Sequence, residues 1–238
     1  MMDKLLDIAG VGGTVVLVIL LALSVISIGI IIERLVYFRR RRVDAVKLAK
    51  ELAATLDDHE AARALLAKSP SIEAQVIAEA MPWYEAGPEP FDEIVKKGLA
   101  ERRKDVESGL VFLGTLGNNA PFVGLFGTVL GIIVAFRELS SAAANVASGS
   151  GNMNNVMAGI AEALVSTAVG ILVAVPAVIF FNIFQKKTVV IEDNIGALTN
   201  AITAHMKRDR DAKPHAKGSA PVARQSYPAI TIEHPVEA

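Results

Sequence analysis

Three side chains in this 238-residue sequence have types and positions suited to lining a hydrated path through apolar surroundings: Glu162, Thr128 and Thr167. Glu162 lies about 9 Å along a helix from Val156, where a long apolar stretch begins. An ionisable group at that depth is costly and marks a functional site by default. Thr128 belongs to the preceding apolar stretch, Gly114 to Phe136. The loop between the two stretches is too short to cross back, so they must run antiparallel. Thr128 then stands about 12 Å, and Thr167 about 16 Å, from the loop ends of their helices. At comparable depth the two hydroxyls could face one hydrated path. The plainer alternative is a hydroxyl bonded to the i−4 carbonyl of its own helix.

The surroundings of these residues are unusually bare. Gly117, Gly124 and Gly131 recur every seven residues, and Gly127 with Gly131 forms a GxxxG pair. On the other stretch Ser166, Gly170 and Ala174 repeat every four. Stripes of this kind let helix backbones approach closely in a membrane. Close packing alone and a pore lining are both compatible with the spacing. Pro121 and Pro176, one in each stretch, each free a carbonyl and are candidate kinks or hinges.

The motifs GLFGTVLGI and GIAEALVSTAVGILVAVPAV resemble the MotA/TolQ/ExbB proton-channel family, most of all its ExbB/TolQ branch. SVISIGIIIERL resembles the family's first membrane helix, and the resemblance extends from Val11 to Met206. It implies an all-α membrane protein with three transmembrane helices and long cytoplasmic helical extensions, assembling as a homopentamer. It further implies a single-helix membrane partner of the ExbD/TolR kind, whose Asp carries the proton, and a TonB- or TolA-like protein that receives the work. On the same resemblance Thr128 and Thr167 are polar liners near that Asp, and Glu162 is the intramembrane carboxylate of the path. MotA-type stators have four membrane helices where this sequence offers three. That departure counts against a flagellar stator; a surface-motility stator and a non-conducting membrane scaffold stand as the alternatives to an inner-membrane motor driven by proton-motive force.

Composition sets the outer bounds. The chain is 52% hydrophobic with a formal net charge of −1, and its mean hydropathy is +0.43. Nothing here points to nucleic acid. There is no cysteine, which excludes disulfides and thiolate metal sites, and the four histidines are scattered. No phosphate-binding GxxxxGK[ST], HExxH or GxSxG motif is present, so the sequence suggests neither an enzyme nor a bound cofactor. An energy source would have to be external, and an ion gradient suits a membrane carboxylate.

The segments that position these residues follow in order. Residues 1–10 form a short N-terminus, expected on the periplasmic side. Residues 11–32 form the first membrane helix, its length and the basic residues behind it arguing against a cleaved signal peptide. Residues 33–112 make a cytoplasmic helical domain. There Val43, Val46, Ala49, Leu52 and Leu56, then Phe91, Val95, Leu99, Val106 and Leu110, recur at helical spacing, with breaks at Ser69-Pro70 and Pro82 to Pro90. The helix from Phe91 is expected to run on toward the second membrane helix. Residues 113–136 and 156–184 are the second and third membrane helices, joined by a periplasmic loop at 137–155. Residues 185–210 continue as a helix whose stripe, Ile191, Ile195, Leu198, Ile202 and Met206, needs a partner, either the 43–110 helices or a neighbouring subunit. Residues 211–238 read as a flexible tail. Arg39 to Arg42 and Lys186-Lys187 flank the same side of the membrane, while Arg137 is the basic residue of the loop. The positive-inside rule then puts the N-terminus in the periplasm and the C-terminus in the cytoplasm.

Overall fold

The computed structural model describes residues 2–145 and 153–212, with side chains described within 12–140 and 156–210. Every regular element among them is helical. The order is α1 (Met2–Arg40), α2 (Ala45–Thr55), α3 (His59–Lys68), α4 (Ile72–Ala80), a 3-10 turn (Met81–Ala86), α5 (Pro88–Glu107), α6 (Leu110–Asn145) and α7 (Met153–Ala212). Among the described residues three helices, α1, α6 and α7, are long and apolar enough to cross a membrane.

α7 sets the architecture. Its 60 residues make a rod of about 90 Å, three times the roughly 30 Å of a hydrocarbon core. One part of it packs antiparallel against α6 with α1 laid alongside both. The other part carries the stripe Ile195, Leu198, Ile202 and Met206, each nearly fully buried against α2, α4 and α5 of the same chain. The covering partner for this stripe is thus intramolecular. α1 contributes a matching stripe at three- and four-residue steps, Val16, Leu20, the partly buried Leu23, Ser27, Ile31, Arg34 and Phe38. Its other faces leave Val18, Val25, Ile28 and Ile32 exposed, as lipid-facing or interface positions do.

The short helices start where the sequence supplies caps. Asp44 accepts from the amides of Val46 and Lys47, and Asp58 from those of Glu60 and Ala61. Ser71 accepts from the amide of Ala74. Pro82 stands in the 3-10 turn, and Pro88 opens α5 behind Gly87, whose φ of 107° suits glycine.

Three features differ from the sequence expectation. The buried stripe of α2 runs through Leu48, Leu52 and Leu56, while Val46 is 66% exposed. Two apolar series overlap in this helix, and only one can face α7. The helix from Phe91 does not run into the next: α5 ends at Glu107, and Gly109 takes a φ of 74° before α6 begins. Finally, much of 137–155 is helical, because α6 continues to Asn145 through an alanine-rich run and α7 begins at Met153. The 213–238 part of the expected tail lies outside the described residues, whereas 211 and 212 close α7.

Candidate functional site

The α6–α7 seam is built on absent side chains. A Cβ added at Gly117 would stand 2.4 Å from Val178 Cγ2, and one at Gly124 would stand 2.8 Å from the Ser166 carbonyl oxygen. At Gly127 it would lie 2.8 Å from Ser166 Cβ, at Gly131 2.6 Å from Ala163 Cβ, and at Gly170 2.7 Å from the Ala120 carbonyl oxygen. Such distances leave no room for a methyl. The two backbones are therefore in contact along the seam, held by dispersion rather than by interlocking large side chains. Ser166 and Ala174 are buried in it. Both prolines sit inside uninterrupted helices, Pro121 in α6 and Pro176 in α7.

This register fixes the level of the polar residues. Gly127 faces Ser166, and because the helices are antiparallel the next residues, Thr128 and Thr167, step one rise each in opposite directions, to levels about 3 Å apart. Their hydroxyls fare differently. Thr128 is 9% exposed and its hydroxyl donates to the Leu125 carbonyl at 2.7 Å, the local bond that a helical threonine makes by default. The Thr167 hydroxyl is buried and has no hydrogen-bond partner among the described residues. A buried unpaired hydroxyl carries a desolvation cost, which makes it a place where a further polar group would be welcome.

Glu162 lies one turn before Ser166. It is exposed on the single chain and borders a cleft of about 40 Å³ lined by Gly13, Gly127, Gly131, Val134, Gly159, Ala163 and Ser166. Two of the glycines found from spacing, Gly127 and Gly131, thus wall the carboxylate's pocket. A short α1 segment completes it: the Thr14 hydroxyl donates to Glu162 Oε1 at 3.1 Å, and a Cβ on Gly13 would sit 4.0 Å from the same oxygen. Sequence reasoning missed Thr14. The available signal was that Thr14 is the one hydroxyl-bearing residue between Asp7 and Ser24 in an otherwise apolar run. Thr128 and Thr167 do not line this cleft. The arrangement offers a carboxylate that can take up and release a proton, a cleft of the size that holds water beside polar groups, and hydroxyls further along the seam.

A second polar cluster lies at the far end of α7. His205 Nδ1 is 2.9 Å from the Tyr84 hydroxyl and 3.4 Å from Asp209, while Nε2 is 3.3 Å from Asp57. The carboxylates thus address opposite ring nitrogens, the geometry of an imidazole bridging two acids rather than of two acids and one nitrogen converging on an ion. The Tyr84 hydroxyl is pushed above its ordinary pKa by burial first, then by the charges of Asp209 and Asp57.

The sequence profile of the MotA/TolQ/ExbB proton channel family matches residues 48–196. The biopolymer transport protein ExbB of Salmonella typhimurium is 31% identical over 225 residues, which cover 88% of this chain and 88% of that protein. The Tol-Pal system protein TolQ of Pseudomonas aeruginosa is 38% identical over 94 residues, 40% of this chain and 38% of that protein. ExbB of Pseudomonas putida is 34% identical over 123 residues, 49% of this chain and 36% of the relative, so in these last two the match spans little more than a third of the relative's length.

Proposed function

Since the chain belongs to the MotA/TolQ/ExbB proton channel family, we propose that it is the channel-forming subunit of an inner-membrane motor driven by the proton-motive force. In this reading it works in the manner of ExbB and TolQ. Five copies surround an ExbD/TolR-like single-helix partner, and the work passes to a TonB- or TolA-like protein spanning the periplasm. The N-terminus faces the periplasm and the α2–α5 bundle faces the cytoplasm. Outer-membrane transport and envelope integrity are the two processes that such work serves.

The observation that carries this reading is the pairing of an acid with a cleft: Glu162 interrupts an apolar helix and borders a glycine-walled opening. Thr167 adds to it, because its buried hydroxyl lacks a partner among the described residues and would be satisfied by an acid from another polypeptide. Thr128, about 3 Å away along the seam, supplies a second hydroxyl that can exchange its local bond for an intermolecular one. Protonation of the partner's acid would neutralise it and let it move past these hydroxyls, and deprotonation toward the cytoplasm would reset it. One charge falling through 100 mV supplies about 2.3 kcal/mol for that movement.

The test is proton flux through the assembled complex in proteoliposomes, alongside partner-dependent work in cells. Glu162→Gln and Thr167→Val are expected to lower both while leaving assembly intact. Unchanged flux and work in both variants would favour the scaffold reading, in which the glycine seam serves packing alone.

A further inference from the structure

We propose that Thr14 of α1 is a positioning residue for Glu162, holding its carboxylate over the glycine-walled cleft from which it exchanges its proton. The inference rests on the reading of Glu162 as a member of the proton path, and adds to it a helix that contributes no acid of its own at that level. Thr14 also lies outside residues 48–196, the part of the chain that matches the family profile.

The geometry is specific. The Thr14 hydroxyl is 3.1 Å from Glu162 Oε1, a bond between residues 148 positions apart in sequence. Among the described residues it is the side-chain donor that reaches this carboxylate. A threonine side chain is short, so it reaches only because α1 comes close. A glycine allows that approach: a Cβ on Gly12 would lie 2.6 Å from Leu130 Cδ1, while one on Gly13 would only touch the carboxylate, at 4.0 Å. Val16, two residues on, packs against Gly127, which keeps this end of α1 seated on the α6–α7 seam.

The consequence is a choice of rotamer. A glutamate at the edge of an apolar bundle has three rotatable bonds and is free to extend toward lipid headgroups, as charged side chains near helix ends do. A hydrogen bond from α1 to Oε1 holds the acid back beside the cleft and leaves Oε2 to exchange the proton. The cleft has space for about two waters by the usual criterion, with Glu162 and Ser166 as polar partners. Proton transfer requires donor and acceptor within hydrogen-bond reach, directly or through one water. A carboxylate released from Thr14 satisfies that condition for only part of the time.

The experiment compares Thr14→Val, Thr14→Ala and Thr14→Ser in the full-length complex with its membrane partner, with Glu162→Gln as background. Thr14→Val keeps the shape and removes the donor. It is expected to lower proton flux by about tenfold, the scale of one hydrogen bond to a charged group. Thr14→Ala, which removes the donor without a branched side chain, should behave alike, and Thr14→Ser should restore flux. In the Glu162→Gln background Thr14→Val should add no further loss. Infrared difference spectroscopy supplies a readout that packing alone does not move: the carboxyl band lost in Glu162→Gln should shift in Thr14→Val and Thr14→Ala and return in Thr14→Ser. Wild-type flux and an unshifted band in assembled Thr14→Val or Thr14→Ala, with flux abolished by Glu162→Gln, would overturn the role of Thr14 and leave the proposed function standing. Full flux in Glu162→Gln itself would remove both.

Discussion

A single methyl group has opposite consequences at two glycines of α7. At Gly170 the added atom would meet the Ala120 carbonyl at 2.7 Å and the Gly124 Cα at 3.0 Å, both backbone atoms that cannot rotate away. At Gly196 it would meet nothing within 4 Å. Gly170→Ala is therefore expected to destabilise the purified protein by about 1–3 kcal/mol, the usual cost of overpacking. Gly196→Ala should stabilise it by about 0.5–1 kcal/mol, because alanine loses less backbone entropy in a helix interior. Melting curves in detergent read both, and a lower melting point for Gly196→Ala would contradict the open space drawn around it. Tyr84 gives a prediction with pH. Its folded pKa lies above the ordinary 10.0, so the unfolded chain gives up this proton first as pH rises. The contribution is intact below pH 10 and is lost as pH climbs through the raised folded value. Tyr84→Phe should flatten that part of the alkaline decline in melting temperature while losing the hydrogen bond to His205 at neutral pH. Equal alkaline slopes for the two proteins would show that the hydroxyl is not held as described.

Elements meet at one joint, where α1 crosses the break between α5 and α6. Arg34 is 5% exposed there, and its Nη1 donates to the Asp105 carbonyl in the last turn of α5 at 2.5 Å. Nε and Nη2 are both engaged by Glu33, and the guanidinium lies 4.8 Å from the centre of the Tyr37 ring. Next to it Gly109, at φ 74°, leaves no space for a Cβ beside Ile30. Arg34→Ala strands an orphan carbonyl at a helix end and is expected to cost about 2–3 kcal/mol. Arg34→Lys should not rescue it, because a lysine cannot serve a carboxylate with two nitrogens and a carbonyl with a third. Faster amide exchange across residues 108–112 in both variants is the measurement, and protection equal to wild type in Arg34→Lys would refute the argument. This joint also shows where sequence reading stops. Long apolar runs, the proline-marked breaks between helices and the α7 stripe were legible because each is a local pattern. The antiparallel seam was legible because glycine spacing and a short connection constrain it. The turn at Ser108-Gly109 was hidden, since one glycine in a helical pattern is equally compatible with a continuous helix. The partners Thr14–Glu162 and Tyr84–His205 were hidden too, being 148 and 121 residues apart with no periodicity to link them. Leu48 displaced Val46 in the core because two apolar series compete within α2 and tertiary packing selects between them.

On the scale of the whole chain, charge is sorted along the α7 axis. Phe38 near the end of α1 stacks on Phe184 of α7 at 5.6 Å, and Lys187 lies 5.4 Å from the Phe38 ring. Arg39 to Arg42 and Lys186-Lys187 therefore sit at one level, on the side of the α2–α5 bundle. Thr14 and Glu162 lie toward the opposite end, near the part of α6 that carries Arg137. Basic residues close to membrane helix ends are retained in the cytoplasm, so the bundle should be cytoplasmic and the far ends of α6 and α7 periplasmic. The absence of cysteine makes this directly measurable, because each introduced thiol is the only one in the chain. Arg63→Cys, on the exposed face of α3, should react with a membrane-impermeant maleimide only after the inner membrane is opened. Ser140→Cys, exposed near the end of α6, should react in spheroplasts that are still sealed. The reverse pattern would invert the topology and place the Glu162 cleft on the cytoplasmic side. Replacing Arg39 to Arg42 with alanine tests the cause as well as the arrangement: a mixed population, with some Arg63→Cys labelled from outside, is expected if those four charges set the orientation. Uniform wild-type labelling would assign that role to Lys186 and Lys187 or to the folded bundle itself.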